Sequence, residues 1–164
     1  MTNAFGEATS FTYDAAGNLT RVTVPAGAST TYSYDAVGNM TSQTDPSGAV
    51  TRFRYDAKNR LVAVTDPAEN TTTYAYDLND NRTSTTDANG RTTTSAYNSK
   101  GQLIKTIDAL GNVTTYAYGG TGCGGGSGKL TSLTDANGNS TTYQRRQGGL
   151  DTERYPAAEG ILRL

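Results

Sequence analysis

Two short patterns of apolar and polar residues alternate along this chain. The first sets an aromatic ring two residues before a tyrosine, as in Tyr32-Ser33-Tyr34, Phe53-Arg54-Tyr55 and Tyr116-Ala117-Tyr118. Residues two apart lie on one face of a strand, so these rings share a face. The second pattern is a shorter apolar and β-branched run such as Leu61–Thr65. Both patterns favour strand, and both are bounded by Asp, Asn, Gly or Pro. They predict strands over segments such as Asn112–Tyr118 and Leu61–Thr65. No stretch combines helical spacing with capping residues.

The alternation is periodic. Tyr-Asp recurs every 21 residues, at Tyr13-Asp14, Tyr34-Asp35, Tyr55-Asp56 and Tyr76-Asp77. Tyr97 and Tyr118 keep the tyrosine, with Asn98 and Gly119 after them. A fixed period of this length means one supersecondary element copied in tandem. With the tyrosine as position 1, position 5 is Gly17, Gly38 and Gly101, replaced by Asn59 and Asp80 in two copies. Position 7 is Leu19, Met40, Leu61 and Leu103, with Arg82 the exception. Position 12 is Asp45, Asp66, Asp87 and Asp108, and position 20 is aromatic except at Ser95. About six repeats cover residues 2–144, and a Gly-rich loop, 119–128, is inserted in the sixth. The array starts and stops in mid-repeat, which favours continuation into more repeats.

The turns have a mechanism. In Asp35-Ala36-Val37-Gly38 and Asp45-Pro46-Ser47-Gly48 the aspartate opens the turn and glycine ends it. Pro46 pre-sets φ at the second place. This predicts a type I turn followed by a left-handed glycine, within a hairpin that carries a bulge. The fold expected is all-β, an antiparallel meander of about twelve strands. Its aromatic ladder is spaced by aliphatic side chains, and cross-strand pairs of this kind contribute about 0.2–1 kcal/mol each. Bulges leave the facing of the shorter strand open. A strip of this kind has two open edges, which invite further pairing.

The repeat, written Y-D-x-x-G-N/R-L-T-x-x-T-D-P-x-G-x-x-T-x-Y-x, resembles the YD repeat of the Rhs family over residues 2–144. That family includes Rhs polymorphic toxins, wall-associated proteins of the WapA type, B and C components of insecticidal toxin complexes, and teneurins. In these relatives many repeats wind into a spiral sheet that closes as a hollow shell. In the toxins the shell encloses a C-terminal toxic domain. The resemblance implies that this chain is a curved strip of such a wall, from a secreted or cell-surface parent. Its partners would be further YD repeats and an encapsulated toxin domain. The chain departs from the family pattern in being too short to close a shell, and in showing neither the core motif after the repeats nor a separate toxin domain. The residues that define the repeat are Tyr13, Asp14, Gly17, Tyr34, Asp35, Gly38, Tyr55, Asp56, Tyr76, Asp77, Tyr97 and Tyr118.

Composition narrows the alternatives. Leu, Ile, Val and Phe make up only about 14% of the chain, a level typical of disorder. Disorder also calls for high net charge, and here the net charge is -1. Tyrosine rings and threonine methyls therefore build a thin core. The balance of 14 Lys+Arg against 15 Asp+Glu gives no footprint for nucleic acid. No apolar run is long enough to span a membrane, and Met1–Glu7 has no signal-peptide character. A single cysteine, Cys123, excludes an internal disulfide framework.

The chemical candidates are few. The chain has no histidine, which removes the usual zinc and triad arrangements and leaves Cys123 without an activating base. Gly128-Lys129 is followed by Leu130, so the phosphate-loop pattern fails. Aspartates such as Asp14, Asp35, Asp45 and Asp66 stand where turns need them, one to a turn, rather than converging as calcium ligands do. The sequons at Asn18, Asn39, Asn70, Asn81, Asn112 and Asn139 read as by-products of turn asparagines followed by strand threonines. No catalytic, metal or cofactor site is expected. Two functions stay open: a non-enzymatic shell segment, or an extracellular adhesion or carbohydrate-binding array whose tyrosines stack on sugars.

The tail, 145–164, loses the pattern. A Tyr-Asp pair is due at Arg145. A one-base shift of the codons from Arg146 onward can restore a sequence like the missing repeat, one residue short. A frameshift would leave the tail without an evolved structure.

Overall fold

The computed structural model describes residues 8–119, 128–146 and 149–153, as fourteen strands and no helix. The strands run from β1 (Ser10–Tyr13) and β2 (Leu19–Thr23) through β3 (Ser29–Tyr34), β4 (Met40–Thr44), β5 (Val50–Tyr55), β6 (Leu61–Thr65) and β7 (Thr71–Tyr76). They continue with β8 (Arg82–Thr86), β9 (Thr92–Tyr97), β10 (Leu103–Ile107), β11 (Val113–Tyr118), β12 (Leu130–Thr134), β13 (Ser140–Arg146) and β14 (Gly149–Glu153). The expected all-β meander is therefore the observed fold. The count exceeds twelve because the half-repeat before Tyr13 supplies β1, and β13 pairs with a further strand, β14.

The chain divides into two compact units. Of the described residues, 8–74 and 86–90 form the first, and 75–85, 91–119, 128–146 and 149–153 the second. In the first unit each strand from β1 pairs antiparallel with the next, as far as the Thr71–Thr73 portion of β7. In the second unit β9 to β14 do the same.

Long and short strands alternate because the two turns of the repeat differ. At the Tyr-Asp turn, Ser33 pairs with Ser42 but Tyr34 pairs with Met40, so Thr41 is an extra residue. The same shift lies beside Tyr13, Tyr55 and Tyr118. At the other turn Thr44 pairs with Val50 without a slip. The extra residue reverses the side-chain alternation of the short strand. Met40 and Gln43, three apart, therefore both lie opposite aromatic rings, Tyr34 and Tyr32. Leu61 and Val64 likewise oppose Tyr55 and Phe53. In the second unit Leu130 and Leu133 oppose Tyr118 and Tyr116. This resolves the facing that the sequence leaves open. One face of each pairing carries rings and aliphatic chains.

The other face carries small hydroxyls, alanine and long cations. In β5, Phe53 and Tyr55 are half-buried while Arg52 and Arg54 are exposed. Ala63, 4% exposed and opposite Arg54, is the one buried apolar residue among those described. The ladder side chains named above are half-buried. On β1, at the margin of its unit, Phe11 and Tyr13 are 43% and 58% exposed.

Residues 1–7, 120–127, 147–148 and 154–164 fall outside the description, and so do most of the inserted loop, Cys123 and much of the tail.

Candidate functional site

The recurring feature of this chain is its turn. Asp35 N–H donates to the Asn39 carbonyl at 2.9 Å, and Gly38 N–H returns to the Asp35 carbonyl at 3.1 Å. Gly38 takes φ +91°. Asp45 and Gly48 repeat the pattern at the other turn, with bonds of 2.9 and 3.0 Å and φ +89°. Asn59, Glu69 and Asp80 stand where other copies have glycine, and they hold φ of +61°, +63° and +67°. The left-handed place therefore persists where the glycine does not.

Each aspartate side chain finishes its turn. Asp35 Oδ1 accepts the main-chain N–H of Val37 at 3.1 Å and of Asn39 at 2.8 Å. Its Oδ2 accepts Asn39 Nδ2 at 2.9 Å. Asp14, Asp66, Asp77, Asp108 and Asp135 repeat this with Asn18, Asn70, Asn81, Asn112 and Asn139. Asp56 holds Arg60 instead, with Nε 2.7 Å from Oδ2. Such bonds favour the ionised carboxylate. The side-chain bond from Asn18, Asn39, Ser47, Arg60, Asn70 or Asn112 is the largest cause that sets Asp14, Asp35, Asp45, Asp56, Asp66 and Asp108 below the usual carboxylate range.

Asn98 shows the same construction with reversed polarity. Its Oδ1 accepts the N–H groups of Lys100 and Gln102 at 2.9 and 3.0 Å. Its Nδ2 then donates to Gln102 Oε1 at 2.8 Å. Two substitutions, Asp to Asn and Asn to Gln, thus exchange donor and acceptor and keep the bond.

The repeats are also tied to one another. Tyr34 Oη donates to the Leu19 carbonyl at 2.9 Å, and Tyr97 Oη donates to the Arg82 carbonyl at 3.0 Å. In both cases the tyrosine of one repeat reaches position 7 of the repeat before it. Asn39 Nδ2 also donates to Asn59 Oδ1 at 3.0 Å, from one turn to the next. Tyr55 is pushed above its ordinary value, first by burial and then by the charge of Asp35.

Position 8, threonine in the repeat pattern, has a role that the sequence does not show. Thr20 Oγ1 donates to the Thr12 carbonyl, and Thr131 Oγ1 to the Ala117 carbonyl, both at 3.1 Å. These threonines are the extra residues of their bulges, and the hydroxyl bonds the opposite strand where the ladder slips. The signal was present: position 8 is Thr20, Thr41, Thr83 and Thr131, with β-branched Val62 and Ile104 in the other copies.

The candidate residues lie in rows, one set to a repeat; the carboxylates of Asp14, Asp35, Asp56 and Asp77 are committed to their turns, and the hydroxyls of Tyr34 and Tyr97 to the neighbouring repeat. All six sequon asparagines use Nδ2, the atom that a glycan would occupy, to bond a turn aspartate. Among the described residues no three His, Cys, Asp or Glu side chains group as metal ligands. The inserted loop closes on the ordinary turn bond, Gly119 N–H to the Lys129 carbonyl at 3.1 Å.

A family model described as RHS Repeat matches residues 1–29, 19–51, 34–69, 55–92 and 97–122. Two solved structures are similar. One is the Photorhabdus luminescens Tc holotoxin pore with a TccC3 variant, at TM-score 0.65 and 18% identity over 87% of this chain. The other is a TcdB2–TccC3 complex, at TM-score 0.53 and 18% identity over 80% of this chain. The chain spans 9% of the length of each. No curated protein matches it.

Proposed function

The chain belongs to the RHS repeat family, and from that premise we propose that it is a non-enzymatic length of wall. In this reading it is one stretch of a β-shell built from many such repeats, in a secreted protein that encloses a C-terminal toxin. The likeness to Tc toxin structures supports the architecture. Enclosure, the toxin and secretion are our extension to this chain.

One observation carries the reading. The turn aspartates spend their carboxylates on their own turns, as Asp35 does on Asn39, and the repeat tyrosines Tyr34 and Tyr97 bond the repeat before. A catalytic centre gathers different groups once; here the same groups recur and hold the sheet. The partners that fit are further YD repeats, which would extend the margin at β1. The tail, 145–164, is proposed as the product of a frameshift, which the coding DNA would show as a continuing repeat in another frame. The family match and the Tc toxin likeness do not favour the carbohydrate-binding alternative.

The test is protection of a cargo. In the full-length parent, the segment downstream of the repeats should resist protease until the wall is opened by denaturant. A downstream segment cut as fast in the intact parent as in isolation contradicts the reading. Binding on a glycan array that is lost in Tyr32→Ala and Tyr34→Ala, with the fold retained, would put the adhesion reading in its place.

A further inference from the structure

We propose that Asn89 and Asn137 are the sites at which this chain deamidates spontaneously, and that opening of their turns sets the rate. Both stand third in an Asp-Ala-Asn-Gly turn, at the same place in two repeats, and they are the chain's Asn-Gly pairs. Both side chains are exposed. Their main-chain N–H groups are held by Asp87 Oδ1 and Asp135 Oδ1, each at 2.9 Å, so the aspartate bonds the backbone of these residues rather than the carboxamide. The sequon asparagines are the contrast, because each carboxamide is tied to an aspartate Oδ2.

The reaction needs only the chain and water. The main-chain nitrogen of the following glycine loses its proton and attacks Cγ of the asparagine. A carbon–nitrogen bond forms, the carboxamide nitrogen leaves as ammonia, and a succinimide remains. Water then opens one of its two carbonyls, giving aspartate or isoaspartate. Glycine has no Cβ to hinder the ring closure, and the space around Gly90 and Gly138 is open. One contact opposes the step. Gly90 N–H donates to the Asp87 carbonyl at 3.0 Å, and Gly138 N–H to the Asp135 carbonyl at 3.1 Å. The nucleophile is released only when the turn opens, so the rate measures turn opening. Each event adds a negative charge, and each isoaspartate adds a methylene to the backbone of a turn whose closing bond spans four residues.

The experiment is incubation of the full chain at neutral and mildly alkaline pH, with peptide mapping by mass spectrometry and isoaspartate detection by carboxyl methylation. Amide loss should concentrate at Asn89 and Asn137, rise with pH, and run slower than in the urea-unfolded chain. Asp87→Ala should speed the loss at Asn89 and leave Asn137 as an internal control. Loss at the sequon asparagines equal to that at Asn89 and Asn137 would overturn the site assignment. Equal rates in native and unfolded chain, or no acceleration in Asp87→Ala, would overturn the gating.

Discussion

The hydroxyl of Tyr34 donates to the main-chain carbonyl of Leu19, 2.9 Å away and 15 residues earlier. This bond joins the first residue of one repeat to the strand beside the bulge of the previous one. Tyr97 and Arg82 repeat it in the second compact unit. The tyrosine of the Tyr-Asp pair thus contributes a ring to the ladder and a donor to the neighbouring backbone.

Replacing Tyr34 with Phe keeps the ring and removes the donor. The expected cost is about 0.5–1.5 kcal/mol, the usual net worth of such a bond. Urea unfolding of the full chain followed by circular dichroism measures it. Tyr34→Ala should cost more, because the ring opposite Met40 is lost as well.

The reversed pair Asn98–Gln102 predicts a coupling. Asn98→Asp sets a carboxylate oxygen against Gln102 Oε1. Turning the Gln102 amide over would break its 2.7 Å bond from Nε2 to the Gly128 carbonyl. The single change should lower the urea midpoint. Adding Gln102→Asn restores the Asp–Asn pairing of the other turns and should recover part of the loss. A double-mutant cycle reads the interaction directly.

Glu69 holds φ +63° at a place that glycine fills in other copies. A left-handed conformation costs a residue with a Cβ about 1–2 kcal/mol, and part of that gain is offset by the greater freedom of an unfolded glycine. Glu69→Gly also removes the ion pair with Arg52 at 3.0 Å, whose side chains are 54% and 74% exposed. Pairs that exposed contribute little. The net expectation is a gain of roughly 0.5–1 kcal/mol in chemical denaturation. Asn59→Gly should gain less, since asparagine tolerates this region.

The turn carboxylates set the acid limit. Asp14, Asp35, Asp45, Asp56, Asp66 and Asp108 are all depressed from 3.8. Each therefore contributes stability that is fully present above the unfolded value and is lost as pH falls through the folded one. Stability should stay flat through mildly acidic pH and fall only once pH drops below about 4. At the alkaline end Tyr55 acts in the opposite sense, because its folded value is raised from 10.0. Its contribution is present below that pH and is lost as pH rises through the folded value. Urea midpoints measured across pH test both limits.

Much of this architecture was legible in the chain. The short strand Leu61–Thr65 falls where its composition puts it, and Val113–Tyr118 starts one residue inside the expected segment. Period and turn residues sufficed because each repeat restates the same local preferences. The facing of Met40 and Gln43 was not legible, since it depends on a bulge that moves side chains between faces without altering composition. The bond from Tyr34 to Leu19 was hidden for another reason: a main-chain acceptor leaves no mark on residue identity. The sequence marks the aspartates as turn residues, and their geometry adds the partner, the residue four places on.

Sequencing the DNA that flanks this reading frame decides whether the chain is wall in a larger array. Further 21-residue repeats, a core motif and an unrelated downstream domain are the predicted result. A stop, a promoter of its own and no neighbouring repeats in any frame would contradict it and make the chain a free-standing array.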